Sequence, residues 1–182
     1  MTSSRIAALT GRPGIGKTTA FVKIVELLRK DGVNVAGFYS REVRERGLRV
    51  GFEMVDLVSG NVSTLAWVGE GRGPRVGKYV VNVFNVGNMS KHMREQLETD
   101  VEVIAVDEIG PMELTAPQFV ETVFEILNAD KLSLFTVHYA AKHAVVEAVK
   151  RHAGSHLYEL TLENRAIIPE KVYTVMKDWL KS

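Results

Sequence analysis

Short runs of consecutive apolar residues alternate with longer segments whose apolar residues recur at helical spacing. This pattern predicts an α/β domain built on a largely parallel sheet. Arg5 to Thr10 is apolar almost throughout, as a strand covered on both faces must be. A glycine-rich turn follows. From Lys17 to Lys30, Phe21, Ile24, Val25 and Leu28 fall on one helical face, and Asp31-Gly32 supplies the stop. Val33 to Ser40 predicts a second strand. From Arg41 to Val68 the pattern becomes that of a local β-meander, with turn signals at Arg46-Gly47 and Ser59-Gly60. Gly69 to Gly77 is expected to be either a mobile loop over a site or a solvated hairpin tip.

The second half repeats the alternation. Met89 to Thr99 reads as a helix, and Val101 to Asp107 as a central strand that ends in acids. Ala116 to Ala129 is amphipathic, with Phe119, Val123, Phe124 and Leu127 on one face. Leu132 to Val137 predicts a strand, Ala141 to His152 a helix and His156 to Leu160 a last short strand. Asn164 to Leu180 is helical, with Pro169 bending it or splitting off its first turn. No internal repeat, low-complexity tract or linker interrupts the chain, so residues 1–182 read as one domain.

Composition narrows the function classes. The net charge is +1, too small to draw the molecule to nucleic acid or anionic lipid through its overall field. With 46% hydrophobic and 25% charged residues the chain can form a core, which argues against disorder. The absence of cysteine excludes a disulfide framework, a thiolate metal site and a cysteine nucleophile. No apolar stretch approaches the roughly 20 residues of a membrane span, and Met1 to Arg12 lacks the apolar core of a signal peptide. The expected location is therefore the cytoplasm.

Chemistry enters at Gly11-Arg12-Pro13-Gly14-Ile15-Gly16-Lys17-Thr18, which fits G-x-x-x-x-G-K-[ST] in full. Glycines let consecutive backbone N–H groups converge on one concavity, and the helix beginning at Lys17 adds its positive end. Lys17 is placed to reach β- and γ-phosphates, and the Thr18 hydroxyl is a suitable Mg²⁺ ligand. Asp107 and Glu108 follow an apolar strand and form the second half of the predicted site. Asp107 suits the metal, and Glu108 suits a base that deprotonates an attacking water. This pairing resembles the division of P-loop proteins that has an extra strand and a catalytic glutamate. Thr136 and His138 close the next strand and are candidates for sensing a γ-phosphate.

Other polar clusters read as scaffolding. Arg41, Arg44, Arg46 and Arg49 are interleaved with Glu42 and Glu45, which predicts a salt-bridged hairpin face and only weakly supports an RNA-binding patch. A single arginine from this region could still reach a phosphate. His92, His143, His152 and His156 show no metal-ligand spacing with carboxylates and are expected to be surface or core residues.

Taken together, these segments resemble the family of small nucleoside-triphosphatases that includes human cancer-related nucleoside triphosphatase and archaeal and thermophilic bacterial relatives. The matching pieces are G-R-P-G-I-G-K-T-T at 11–19, G-F-Y-S-R-E-V-R at 37–44, R-V-G-F at 49–52, V-G-K-Y-V-V at 76–81, D-E-I-G-P-M-E-L at 107–114 and L-T-L-E-N-R at 160–165. The resemblance implies a three-layer RecA-like P-loop fold with a mainly parallel central sheet and a β-meander insertion. It also implies Mg²⁺-dependent hydrolysis of nucleoside triphosphates with broad base tolerance. Carried over by position, Gly11 to Thr18 with Thr19 would bind phosphates, and Asp107 and Glu108 would serve metal and water. Glu113 belongs to the same acidic segment. Asn164 and Arg165 fall where a C-terminal loop could meet base or phosphates, and Arg165 or Arg44 would neutralise developing charge. Pro111 stands where the family usually has lysine, and His138 where it tends to have proline. Two rival classes stay open: a nucleotide or small-molecule kinase with Gly69 to Gly77 as lid, and a nucleotide-gated module for RNA or protein. Base preference and oligomeric state are beyond the sequence.

Overall fold

A computed structural model describes residues 5–182; Met1 to Ser4, the start of the segment read against a signal peptide, lie outside the described residues. In chain order the elements begin with β1 (Ile6–Thr10), α1 (Lys17–Lys30), β2 (Val35–Glu45), β3 (Leu48–Asp56), β4 (Val62–Val68), β5 (Arg75–Val76) and β6 (Tyr79–Val81). They continue with α2 (Val83–Leu97), β7 (Val103–Ile109), a 3₁₀ turn (Glu113–Thr115), α3 (Pro117–Asn128), β8 (Leu132–Val137), α4 (Ala144–Ala153), β9 (Leu157–Glu159) and α5 (Ile168–Lys181). The nine strands form one sheet in the order β5-β6-β4-β3-β2-β7-β8-β1-β9. From β2 to β9 all neighbours are parallel, and from β2 outward to β5 all are antiparallel.

Parallel strands need crossover helices, and these cover both faces of the sheet. One core joins Ala8, Phe38, Ile104, Val106 and Phe135 to α2, α3 and α4. The other joins Ala7, Leu9, Val103, Ala105 and Leu134 to α1 and α5. Successive residues of β1 and β7 thus feed opposite cores, which explains their unbroken apolar runs. The layers are helix, sheet and helix, and the antiparallel β2–β6 region is the predicted meander.

Several expectations shift at their edges. β2 extends to Glu45 and pairs with β3 well beyond its last pairing with β7, Tyr39 against Asp107. The β2–β3 ribbon therefore projects past the carboxyl edge of the parallel strands. β7 runs on through both acids to Ile109. α2 begins at Val83, earlier than the expected Met89, because the Asn82 side chain accepts a hydrogen bond from the Asn85 N–H and caps it. Gly69 to Gly77 lies by β5 at the outer edge of the sheet, with several strands between it and the glycine-rich loop, so it does not cover that loop. Pro169 falls in the first turn of α5 and leaves Asn164 in a preceding turn.

Candidate active site

The loop between β1 and α1 is shaped for an anion. Gly16 caps α1 with φ 109°, a left-handed conformation that side-chain-bearing residues resist, and α1 has no acid in its first turn. The first N–H groups of α1 therefore face outward without an intrahelical acceptor, at the positive end of the helix. Lys17 Nζ folds back to donate to the Gly11 carbonyl at 2.7 Å.

β7 brings the acids to the same edge, although β8 separates it from β1. Thr18 Oγ1 donates to Asp107 Oδ2 at 2.8 Å, and Thr136 Oγ1, from β8, donates to the other carboxylate oxygen. Asp107 is 1% exposed. Burial pushes its carboxyl up to about 6, against the opposing hydroxyls of Thr136 and Thr18. Glu108 turns to the cleft, with Oε2 3.9 Å from Lys17 Nζ. Burial raises its pKa and the Lys17 charge lowers it, with burial prevailing. A Cβ on Gly110 would stand 2.7 Å from Glu108 Oε1, so this residue type leaves the Glu108 side chain its space.

Glu113 is the third buried carboxyl of the segment, and its pKa is driven well above the ordinary value by burial first and the Glu108 charge second. His138 Nδ1 accepts from the Ala140 N–H at 3.2 Å, which leaves the ring proton of the neutral imidazole on Nε2. Burial, then the nearby Lys17 charge, hold the His138 pKa below its usual value.

Lys17, Thr18, Asp107, Glu108 and His138 share a cleft of about 520 Å³ with Ser40, Arg41, Glu42, Arg49 and Phe52 of the projecting ribbon, and Glu113 lies outside its lining. Arg49 is fixed by the Tyr79 hydroxyl at 2.8 Å and by Glu42 at 2.9 Å, with its guanidinium over the Phe52 and Tyr79 rings. Arg44 is instead held by Glu42 and the Gly47 carbonyl and does not line the cleft. Of the ribbon arginines, sequence reasoning singled out Arg44, whereas Arg41 and Arg49 face the site. The meander register that decides this is set by hairpin pairing, which the sequence does not display.

On the other side of the glycine-rich loop lies a cavity of about 480 Å³ with Arg12, Pro13, Ile15, Tyr139, Leu160 and Leu162 in its walls. Asn164 shapes its rim: Oδ1 accepts from the Thr161 N–H at 2.7 Å and Nδ2 donates to the Glu159 carbonyl at 2.9 Å. Arg165 Nη1 donates to the Ile15 carbonyl at 3.3 Å. The structure thus brings Arg165 to the back of the loop and commits the Asn164 carboxamide to the turn itself.

A family model described as NTPase matches residues 6–173. The chain belongs to this family. The nucleoside-triphosphatase THEP1 of Thermofilum pendens is 44% identical over 165 residues, covering 90% of this chain and 91% of that one. Its counterpart from Archaeoglobus fulgidus is 41% identical over 170 residues, covering 93% and 98%. Among solved structures, that of a human cancer-related nucleoside triphosphatase aligns with a TM-score of 0.78 at 32% identity, over 96% of this chain and 98% of that one. THEP1 from Aquifex aeolicus aligns at 0.77 with 28% identity, over 94% and 99%. The fold is that of the P-loop members of the family, as the resemblance implied. Among the described residues no helix is long and apolar enough to cross a membrane.

Proposed function

We propose that this nucleoside-triphosphatase works in the cytoplasm, with Mg²⁺, on nucleoside triphosphates of any base, and that Glu108 is its general base. The observation that carries this reading is Glu108 Oε2 held 3.9 Å from Lys17 Nζ, in one cleft with the outward N–H groups of α1. The triphosphate lies along the loop, with its β- and γ-oxygens on those N–H groups and on Lys17. A water enters between Glu108 and the γ-phosphorus. Its oxygen attacks in line, the bond to the β-phosphate oxygen breaks, and the water proton passes to Glu108. The nucleoside diphosphate leaves with that bonding pair. His138 Nε2–H donates to a γ-oxygen, and Arg49, anchored by Tyr79 and Glu42, meets the charge that develops there.

Thr18 and Asp107 present hard oxygen donors 2.8 Å apart at the cleft, which fits Mg²⁺. When bound, the ion would neutralise phosphate charge. Base tolerance follows from the second cavity, where the exposed Tyr139 and Leu162 offer apolar surface that accepts the face of any base.

The test is phosphate release from ATP, GTP, CTP and UTP with and without EDTA, comparing wild type with Glu108→Gln. All four are turned over at comparable rates, EDTA stops the reaction, and the variant loses about 10²- to 10⁴-fold in turnover while still binding nucleotide. Wild-type turnover by Glu108→Gln would remove the base assignment, and persistence in EDTA would remove the metal. Nucleotide consumed without phosphate release would identify a transferase in place of a hydrolase.

A further inference from the structure

Away from the phosphate cleft, three side chains converge where the β3–β4 turn meets α2. Asp56 closes β3 and is 4% exposed. Its Oδ1 is fully used, accepting from the Val58 N–H at 2.9 Å, the Ser59 N–H at 2.8 Å and the Ser59 hydroxyl at 3.1 Å. Its Oδ2 is buried, has no hydrogen-bond partner among the described residues, and lies 3.1 Å from His92 Nε2. One turn along α2, the Gln96 carboxamide nitrogen stands 3.0 Å from that same imidazole nitrogen, and its oxygen is a second buried atom without a partner among the described residues.

Hydrogen bonding does not close this cluster. A single ring nitrogen carries either one proton or one lone pair. It is aligned with the Gln96 carboxamide and makes no hydrogen bond to Asp56 Oδ2, which it meets only as an ion pair when the ring is protonated. Rotating the carboxamide by half a turn keeps its shape and presents Oε1 to His92, but Asp56 Oδ2 stays unpaired. A cation satisfies all three groups at once. Ligands about 2.1 Å from one metal ion lie about 3.4 Å apart at the tetrahedral angle and about 3.0 Å apart at a right angle. The Asp56 Oδ2–His92 distance of 3.1 Å, and the 3.0 Å from His92 to the carboxamide nitrogen whose place Oε1 takes on rotation, fit the right angle of a six-coordinate site completed by waters.

We propose that Asp56 Oδ2, His92 Nε2 and Gln96 Oε1 bind a late first-row divalent cation of the zinc class. An imidazole nitrogen selects against Mg²⁺ and Ca²⁺, and the two oxygen donors select against soft monovalent ions. Glu95 Oε2, 3.8 Å from His92 Nδ1, places negative charge beside the other ring nitrogen, where outer partners of metal-bound histidine belong. The half-exposed His92 ring borders a cavity of about 280 Å³ with Ser63, Asn85 and Asn88 in its walls, which gives the ion a route in and room for its waters. The site joins the β3–β4 turn to α2 and is separate from the Thr18–Asp107 pair. Among the described residues no three His, Asp or Glu side chains gather around a metal position; with a carboxamide as third ligand, the ion is exchangeable. The Asp56 carboxylate faces His92 across the fold, where chain spacing does not display it.

The test is titration of the full-length, nucleotide-free chain with zinc chloride by calorimetry, alongside thermal unfolding, for wild type, Asp107→Asn, His92→Ala and Asp56→Asn. Wild type and Asp107→Asn take up one saturable zinc ion and melt higher with it. His92→Ala and Asp56→Asn bind at least about tenfold more weakly and lose the zinc-dependent rise. The carboxamide oxygen introduced by Asp56→Asn still accepts the turn hydrogen bonds, so the fold of that variant is kept. Equal affinity in wild type and His92→Ala, no saturable binding, or binding abolished by Asp107→Asn would each overturn the proposal.

Discussion

At the scale of single residues the candidate site is a problem of crowded charge. Asp107, Glu108 and Glu113 lie within one short segment, and burial raises the pKa of each. Asp107 has two hydroxyl donors, and Glu108 has Lys17. Among the described residues Glu113 has only nearby backbone groups, and it is pushed up further by the charges of its neighbours. Its proton affinity is therefore higher in the folded chain than in the unfolded one. The stability contributed by its protonated form is complete below its ordinary value of 4.5. It is lost as the pH rises through the raised folded value. A neutral carboxamide at this position would carry no such penalty. Glu113→Gln is expected to melt with wild type at acidic pH and increasingly above it as the pH rises, read by calorimetry without nucleotide. A constant gap at every pH would mean that folding leaves the Glu113 pKa where it is in the unfolded chain.

At the scale of elements the sequence was informative wherever periodicity and punctuation agree. α1 and β8 match their expected bounds, and Asp31-Gly32 ends α1 as read. The start of α2 was missed because its first turns expose Phe84 and carry Gly87, so apolar spacing fails there; the Asn82 cap was the available signal. The ends of β7 were also shifted. Residues 107 and 108 are strand residues, and the chain turns only after Ile109. That turn makes room for the Glu108 carboxyl by having no side chain at Gly110. Gly110→Ala places a methyl 2.7 Å from Glu108 Oε1, too close for contact, so the carboxyl must move. A displacement of about 1 Å at a reacting group costs about 10²-fold in rate. The expected result is a loss of that order in kcat, with KM and melting temperature close to wild type. An equal loss in affinity would point to a loop that has collapsed.

At the scale of the whole molecule, what local pattern cannot show is the order of strands, because crossovers and hairpins of similar sequence can place a strand on either side. β8 sits between β1 and β7, so loop and acids come from strands that are not neighbours, in keeping with the extra-strand division that the Asp107-Glu108 pair resembles. Hairpin register is equally silent in the sequence, yet it decides which arginine faces the cleft. The β2–β3 ribbon overhangs the carboxyl edge and carries Arg49 into the cleft, fixed by Tyr79 and Glu42, whereas Arg44 is spent on Glu42 and the Gly47 carbonyl. Arg165 lies against Ile15, behind the loop. A donor fixed before the reaction and aimed at developing charge contributes about 10²- to 10³-fold to turnover. Arg49→Ala should therefore lower kcat by roughly that factor, while Arg44→Ala and Arg165→Ala stay near the wild-type rate. Because Arg49 also braces the ribbon, Tyr79→Phe serves as the comparison: it removes that brace and leaves the guanidinium in place. Loss of turnover in Arg49→Ala but not in Tyr79→Phe assigns the effect to charge at the phosphates. Equal losses in both would assign it to the ribbon, and loss in Arg165→Ala alone would move the role to the far side of the loop.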